Sequence, residues 1–413
     1  MKKRFFAPIV IGFLLFSFCK TSSSSVVNGD LVISWNLITI NATKKAGLNS
    51  NLATRIDAIE AIAVYDAVNS IKNYGTPYHI SVNVSGKASA QAAAVQAAYT
   101  VLSHYFPDQK VFLDSALTSS ISQIKEDGIS NGQSIGSAAA NDIIALRAND
   151  GSNPNMNYTS PSNTGVGVYC ATPPAFAPGI NQQWANLKPF LLTESKQFRP
   201  AAPPSVGSAD YNTALAMVKD LGSATSTSRT SEQTHIGQFY KQDVELTVNE
   251  VARLLAQSNK STLEETALVF ALTDIAEADA RIAVWDAKYF YLFWRPVTAL
   301  NANADGSVGN NYADWSPLIS TPTHPCYPSG HTATVTAGFE VLKKFYGDNN
   351  TLTLHTTTAG EDARIIKSLS IGEAENADSR IYVGVHFTFD NTASHKIGQQ
   401  VANFVLANGP KKR

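Results

Sequence analysis

Apolar residues along this chain recur at helical spacing, and nowhere at the strict alternation of a strand. Leu52, Ile56, Ile59, Ala63 and Ala67 fall on one face behind the polar start Asn51-Leu52-Ala53-Thr54, which predicts a helix over 52–68. The alanine-rich stretch 88–105, with Val95, Ala98, Leu102 and Tyr105 on a stripe, predicts a second that stops at Phe106-Pro107. Further helices are expected over 111–125, ahead of Gly128, and over 133–148. Small alanine faces let such helices approach closely, as in a compact bundle. Prolines at 154, 161, 173, 174, 178, 189, 200, 203 and 204 forbid long helices over 151–204, so that region reads as a long ordered excursion. Within it, Gly165-Val166-Gly167 reads as a turn, since no strand precedes it and no helix follows. Helical periodicity returns over 208–221, and Thr230-Ser231-Glu232-Gln233 has the form of a capping box. Two long helices are expected over 248–259 and 263–293. The fold class is therefore all-α, two packed helical bundles of about 30–150 and about 205–410 within a single domain from 26 to 413, separated by the proline-rich excursion.

Composition narrows the class. At 44% hydrophobic and 16% charged the 413 residues are those of a globular protein, and a net charge of −1 offers nothing to nucleic acid. Any anion site must be built locally. The start Met1-Lys2-Lys3-Arg4, followed by an apolar run from Phe5 to Phe18, is a basic n-region and short h-region, which marks residues 1–19 as a secretory signal and the protein as exported, either periplasmic or outer-membrane-anchored, or secreted. Cys19 directly after that run is a candidate lipid anchor, although Phe18 is bulky for a lipoprotein cleavage site. Cys170 and Cys326 then remain, open to one bridge or to two free thiols.

Three segments of the last third carry candidate chemistry. On the helix expected to end at Trp294, Lys288 and Arg295 are seven residues apart and share a face with Trp285, and Pro296 is expected to break the helix. Next, His324-Pro325-Cys326-Tyr327-Pro328-Ser329-Gly330-His331 precedes the periodic run Val335, Phe339, Leu342, Phe345, so Ser329 and Gly330 stand at a helix N-terminus, where free amides favour an anion. Finally, Ser379-Arg380 is followed by Gly384, His386 and Asp390; the glycine interrupts a helix, and Asp390 can hold one nitrogen of His386 and direct the other. Each segment alone has an ordinary reading as a solvated helix face, a turn with an N-cap, or a core histidine. Together they list what a tetrahedral oxyanion needs.

With 297–327 between the first two and 332–378 between the last two, these segments resemble the signature of the type-2 phosphatidic-acid phosphatase and vanadium haloperoxidase superfamily. Trp285-Asp286-Ala287-Lys288, Phe293-Trp294-Arg295-Pro296, the stretch from Thr172-Pro173-Pro174 to Lys188-Pro189-Phe190, and the helix around Arg55 to Asn69 are similar to the bacterial vanadium-dependent members. The resemblance implies vanadate as cofactor. His386 would be the vanadium ligand, Lys288, Arg295 and Arg380 would neutralise the equatorial oxygens, Ser329 and the Gly330 amide would complete their hydrogen bonding, and His331 would be the acid/base residue, with Lys288 also polarising bound peroxide. Asp390, Trp285 and His324 would support these groups. Hydrogen peroxide, a halide and a small organic acceptor are the implied partners. His324, seven residues before His331, stands where chloride-competent members tend to carry Phe, which favours bromide or iodide.

Other functions stay open on the same residues. A secreted acid phosphatase of the superfamily would use His386 as nucleophile and His331 to protonate the leaving group. An envelope protein retaining the pocket without catalysis is a third reading. A zinc hydrolase built on His324, His331 and His386 lacks metal-type spacing and has cationic neighbours.

Overall fold

The computed structural model describes residues 29–161, 165–303, 305–309 and 312–413; the segment expected to be a secretory signal, with Cys19, lies outside them. The N-terminal bundle comprises α1 (Asp30–Lys45), α2 (Ser50–Lys72), α3 (Ala90–Tyr105), α4 (Lys110–Gln123) and α5 (Ile129–Arg147). Helix α1 had no clear signal in the sequence because its buried face mixes Trp35 and Ile40 with Asn36, Thr39 and Thr43. Those polar groups are satisfied internally, Thr39 donating to the Trp35 carbonyl and Asn36 to Asn249 Oδ1. Helix α2 starts where its cap dictates, with Asn49 Oδ1 accepting from the amides of Asn51 and Leu52. Helices α3 and α5 approach backbone to backbone; a Cβ on Gly136 would lie 2.3 Å from the Ala93 carbonyl.

Among its described residues the excursion is irregular, as its prolines require, apart from one 3-10 turn at Gln182–Asn186. Ion pairs and a carboxylate anchor it to the helices. Asp150 Oδ2 accepts from Arg55 Nε at 2.7 Å and Arg147 Nε at 3.0 Å, and Arg147 donates onward to the carbonyls of Lys188 and Pro189. Buried Asp279 accepts from the consecutive amides of Phe190, Leu191 and Leu192 at 2.7, 2.8 and 2.9 Å.

The C-terminal part contains α6 (Ala209–Gly222), α7 (Ser231–Phe239), α8 (Val244–Ser258), α9 (Leu263–Tyr291), α10 (Pro296–Leu300), α11 (Gly330–Tyr346), α12 (Leu369–Tyr382) and α13 (Thr388–Asn408). The expected capping box opens α7, and a second, Thr262 with Glu265, opens α9. Helix α9 is buried on every side from Thr266 to Lys288, the condition of a central helix, and packs against α2 as well as α11 and α13. One hydrophobic core runs through α2, α3, α9, α11 and α13. The chain is not wholly helical: β1 (Leu352–Leu354) pairs antiparallel with β2 (Arg364–Ile366), with Leu354 and Ile366 inward and Ile365 outward. Strands of three residues are too short to establish an alternation in sequence. Among the described residues no helix is long and apolar enough to cross a membrane.

Candidate active site

The first segment departs from its expected form. Helix α9 ends at Tyr291, where Leu292 takes a left-handed cap with φ 47° and its amide bonds the Lys288 carbonyl. Phe293 and Trp294 then run extended against the excursion; Val168 pairs with Phe293, and the Trp294 amide donates to the Gly167 carbonyl. Arg295 is consequently not on the Lys288 face of α9. It is the N-cap of α10, and Pro296, expected to break a helix, begins one at the position where its missing N–H costs nothing. The turn nevertheless carries Arg295 back beside Lys288.

Both cations converge on the segment before α11. Lys288 Nζ donates to the carbonyls of Pro325 at 2.8 Å, Cys326 at 2.7 Å, and Pro328. All three ammonium donors thus meet backbone carbonyls, and Lys288 is not among the residues that wall the cavity described below. A desolvated ammonium takes the nearest strong acceptors. Burial, then Arg295, holds its pKa well below the ordinary lysine value. Arg295 Nε donates to the His324 carbonyl at 2.9 Å, Nη2 meets His324 Nδ1 at 3.0 Å, and Nη1 donates to the Val385 carbonyl at 2.7 Å. Ser329 is the N-cap of α11, its Oγ accepting from the Thr332 amide and hydroxyl, which leaves its own O–H as a donor. Gly330 opens the helix at the cavity wall; a Cβ there would meet Trp285 at 3.2 Å and Arg281 Nη1 at 3.3 Å.

In the third segment α12 stops at Tyr382, Gly384 takes φ 79°, and α13 begins at Thr388, so Arg380 and His386 arrive from two elements. His386 Nδ1 lies 2.8 Å from Asp390 Oδ2. The same oxygen accepts from the Phe387 amide at 3.0 Å and from the Cys326 thiol at 3.0 Å. Asp390 is therefore both an N-terminal capping group and the orienter of the imidazole. Burial pushes it up to about 6, with the Cys326 and Phe387 hydrogen bonds opposing, so it is a carboxylate at neutral pH and fixes the proton on Nδ1. The lone pair of His386 is left on Nε2, 3.3 Å from Arg295 Nη1. Cys326 Sγ, His386 Nδ1 and Asp390 Oδ2 lie within 4.8 Å of one another, and the sequence offered no sign of this trio. Burial drives the thiol pKa well up, so Cys326 acts as an S–H donor; Cys170 is likewise free, and the bridge between them does not form.

His386, His331, Arg380, Gly330, Trp285 and His324 share the wall of one cavity of about 330 Å³. Lys288, Arg295, Ser329 and Asp390 lie behind that wall. Burial, then Arg380 and Arg281, pushes His331 well below the ordinary histidine range; burial, then Arg295 and Lys288, does the same for His386. His331 Nε2 is buried without a partner. His324, held neutral by burial and by Lys288, sits against Trp285 with ring centroids 5.0 Å apart. Asn51 and Arg281 also face the cavity, and the sequence reading missed both. Arg281 was detectable, since it precedes Trp285 and Lys288 on the same helical stripe; Asn51 looked like nothing more than a helix start.

A cluster of cations, a glycine cradle, a directed imidazole lone pair and an unpartnered imidazole nitrogen form a site for a small oxyanion. The family model of the VCPO second helical-bundle domain matches residues 268–410, which include every site residue expected from the sequence. Vanadium chloroperoxidase of Curvularia inaequalis is 27% identical over 50% of this chain and 45% of its own length, so the match spans less than half of that protein. Among solved structures, the first bacterial vanadium-dependent iodoperoxidase superposes with TM-score 0.77 at 24% identity, covering 92% of this chain and 95% of that one. A holo-type bacterial vanadium-dependent chloroperoxidase gives TM-score 0.68 at 17% identity over 87% and 93%. At these identities the superpositions establish the fold.

Proposed function

From the match of residues 268–410 to the VCPO second helical-bundle domain, we propose that this chain is a vanadate-dependent haloperoxidase that oxidises halide with hydrogen peroxide. The overall change is halide plus peroxide plus one proton to hypohalous acid plus water; halide loses two electrons, and the peroxide O–O bond accepts them and breaks. The observation that carries the reading is His386, at the wall of a cavity that Arg281 and Arg380 also line, with Nδ1 tied to Asp390 and Nε2 3.3 Å from Arg295 Nη1. The donor set fits vanadate. His386 Nε2 would ligate vanadium, Arg380 and the first amide of α11 would hold its oxygens, and Arg295 and Lys288 would add positive charge from behind the wall. When bound, vanadate supplies an electron-poor centre that activates peroxide toward halide without changing its own oxidation state.

The side chains supply the proton handling. Neutral His331 presents a partnerless Nε2 at the wall, so it can take a peroxide proton and later return it to the departing oxygen. His324 is a neutral polar ring held by Arg295, and in this reading it favours bromide or iodide over chloride. The hypohalous product would leave or halogenate a small organic acceptor, and the leader sequence sends the enzyme out of the cytoplasm. The test is oxidation of chloride, bromide and iodide by vanadate-free protein before and after adding vanadate. Peroxide-dependent oxidation of iodide or bromide that requires vanadate is expected. Hydrolysis of p-nitrophenyl phosphate by the vanadate-free protein with no halide oxidation after loading would replace this reading with phosphatase, and absence of both activities and of vanadate affinity would leave a non-catalytic anion pocket.

A further inference from the structure

Residues Tyr240, Lys241, Gln242 and Asp243 join α7 to α8, and Lys241 and Asp243 line the cavity. Two backbone carbonyls of this strap hold site residues in place. Among the described residues Arg380 donates from Nε to Ser379 Oγ on its own helix at 3.1 Å, and from Nη2 to the Tyr240 carbonyl at 3.2 Å. The second bond comes from another element, so it fixes the plane of a guanidinium that lines the cavity and spares Nη1. The Gln242 carbonyl meets the ring of His331, whose Nε2 has no partner, so the bonded nitrogen is Nδ1. A neutral imidazole carries one N–H. Donating it to the strap puts the proton on Nδ1 and leaves the lone pair on Nε2.

The strap is itself clipped from outside the cavity. Gln242 is buried and its side-chain amide is wholly engaged: Nε2 donates to Thr247 Oγ1 at 2.9 Å and to the His355 carbonyl at 3.3 Å, and Oε1 accepts from the Thr357 amide at 2.9 Å. Thr356 Oγ1 donates to the Phe239 carbonyl, just before the strap, at 2.9 Å. Asp243 stands at the N-cap of α8 but its side chain caps nothing; Oδ1 accepts from Ser50 Oγ of α2 at 2.8 Å. Residues 355–357, directly after β1, do not line the cavity, and these bonds connect them to it.

We propose that Gln242 is a positioning residue of the oxyanion site, clipping the 240–243 strap to residues 355–357 so that the strap's carbonyls orient Arg380 and set the tautomer of His331. The purpose of that orientation rests on the vanadate-dependent reading, in which the guanidinium must meet an oxyanion and an unprotonated Nε2 must take a proton from peroxide. An Nε2–H tautomer would present a donor where a base is needed.

Gln242→Met keeps the length of the side chain and removes the amide, and the milder Thr247→Val removes one partner of the clip. In vanadate-free wild-type protein carrying nitrogen-15 histidine, the His331 ring, assigned by its loss in His331→Gln, should show only the Nδ1–H tautomer near neutral pH. Gln242→Met should show a mixture of tautomers and bind vanadate about tenfold more weakly in equilibrium dialysis, the lower end of what loss of a ligand-orienting group costs. Thr247→Val should move both readouts in the same direction by less, and the double variant should match Gln242→Met alone, since both act through one clip. A single Nδ1–H tautomer in Gln242→Met, or an unchanged vanadate affinity, overturns the proposal; should Gln242→Met not fold, the same results in Thr247→Val decide it. Neither readout uses halide or peroxide. The expected changes in a protein that oxidises no halide sustain the positioning role and remove the haloperoxidase reading instead, whereas a wild type that binds no vanadate removes both.

Discussion

At the scale of single residues the site is a set of neutral rings placed among cations. His331 and His386 are held below the ordinary histidine range by burial and by Arg380, Arg281, Arg295 and Lys288. A bound anion reverses the sign of the local field and raises the ring pKa, so binding takes up protons. Sulfate, whose charge is constant from pH 5.5 to 8, should therefore bind more tightly as pH falls, with net proton uptake measured by calorimetry in buffers of different ionisation enthalpy. Affinity independent of pH would refute the cation-dominated field. Asp390→Asn should lower vanadate affinity by about 10–100-fold in equilibrium dialysis, because a side chain that orients a ligand is worth that much. Unchanged affinity would mean that the Asp390 carboxylate only caps α13. Residue types and spacing pointed in sequence to His386, Asp390, Arg380, Gly330 and His331, four of which wall one cavity with Asp390 bonded to His386 behind it. The saturation of Lys288 by three carbonyls was not visible, since it depends on how the 325–328 backbone folds under it. In sequence Cys326 is only a thiol open to a bridge with Cys170, and its bond to Asp390 is a contact across 64 positions.

At the scale of elements, function depends on where helices stop. Leu292 ends α9 early and lets Arg295 begin α10, and Gly384 separates α12 from α13. Sequence periodicity located the long helices because each buries a continuous face, but it ran α9 on through Trp294, since Phe293 and Trp294 continue the apolar pattern while packing on the excursion instead. Gly384 combines a left-handed φ with close contacts: a Cβ would lie 2.4 Å from the Gly222 carbonyl and 2.9 Å from both Pro317 and Trp315. Gly384→Ala should cost about 2–4 kcal/mol in chemical denaturation, through backbone strain and overlap together, and should displace His386 enough to weaken vanadate binding. Full stability with full vanadate affinity would show that the turn tolerates a side chain.

At the scale of the whole molecule, the long central helix packs both bundles onto one core and carries a polar stripe from Asp274 through Glu277 and Arg281 to Lys288. Asp57, Glu60, Glu245, Asp274 and Glu277 are all buried, and burial is the largest cause raising each of them; Glu245 and Asp274 reach about 7, and the other three go well above their ordinary values. The folded protein thus binds protons that the unfolded chain releases near pH 4. This contribution to stability is complete below that pH and is lost as pH rises through about 7. Melting temperature should fall between pH 5 and pH 8, and Asp57→Asn should shrink the fall and raise Tm at pH 8 by about 2–4 °C. A wild-type Tm that climbs over the same interval would contradict the raised values. Nothing in the sequence marked this cluster, because Asp57 and Glu60 on α2 meet Asp274 only when two distant helices pack.

The central claim is that one cavity holds vanadate through His386. A crystal structure of the protein soaked in vanadate addresses it directly: vanadium should be bonded to His386 Nε2, with its oxygens on Arg380 and the Gly330 amide and His331 alongside. Vanadate bound away from His386, or a cavity filled by water at saturating vanadate, would contradict the account.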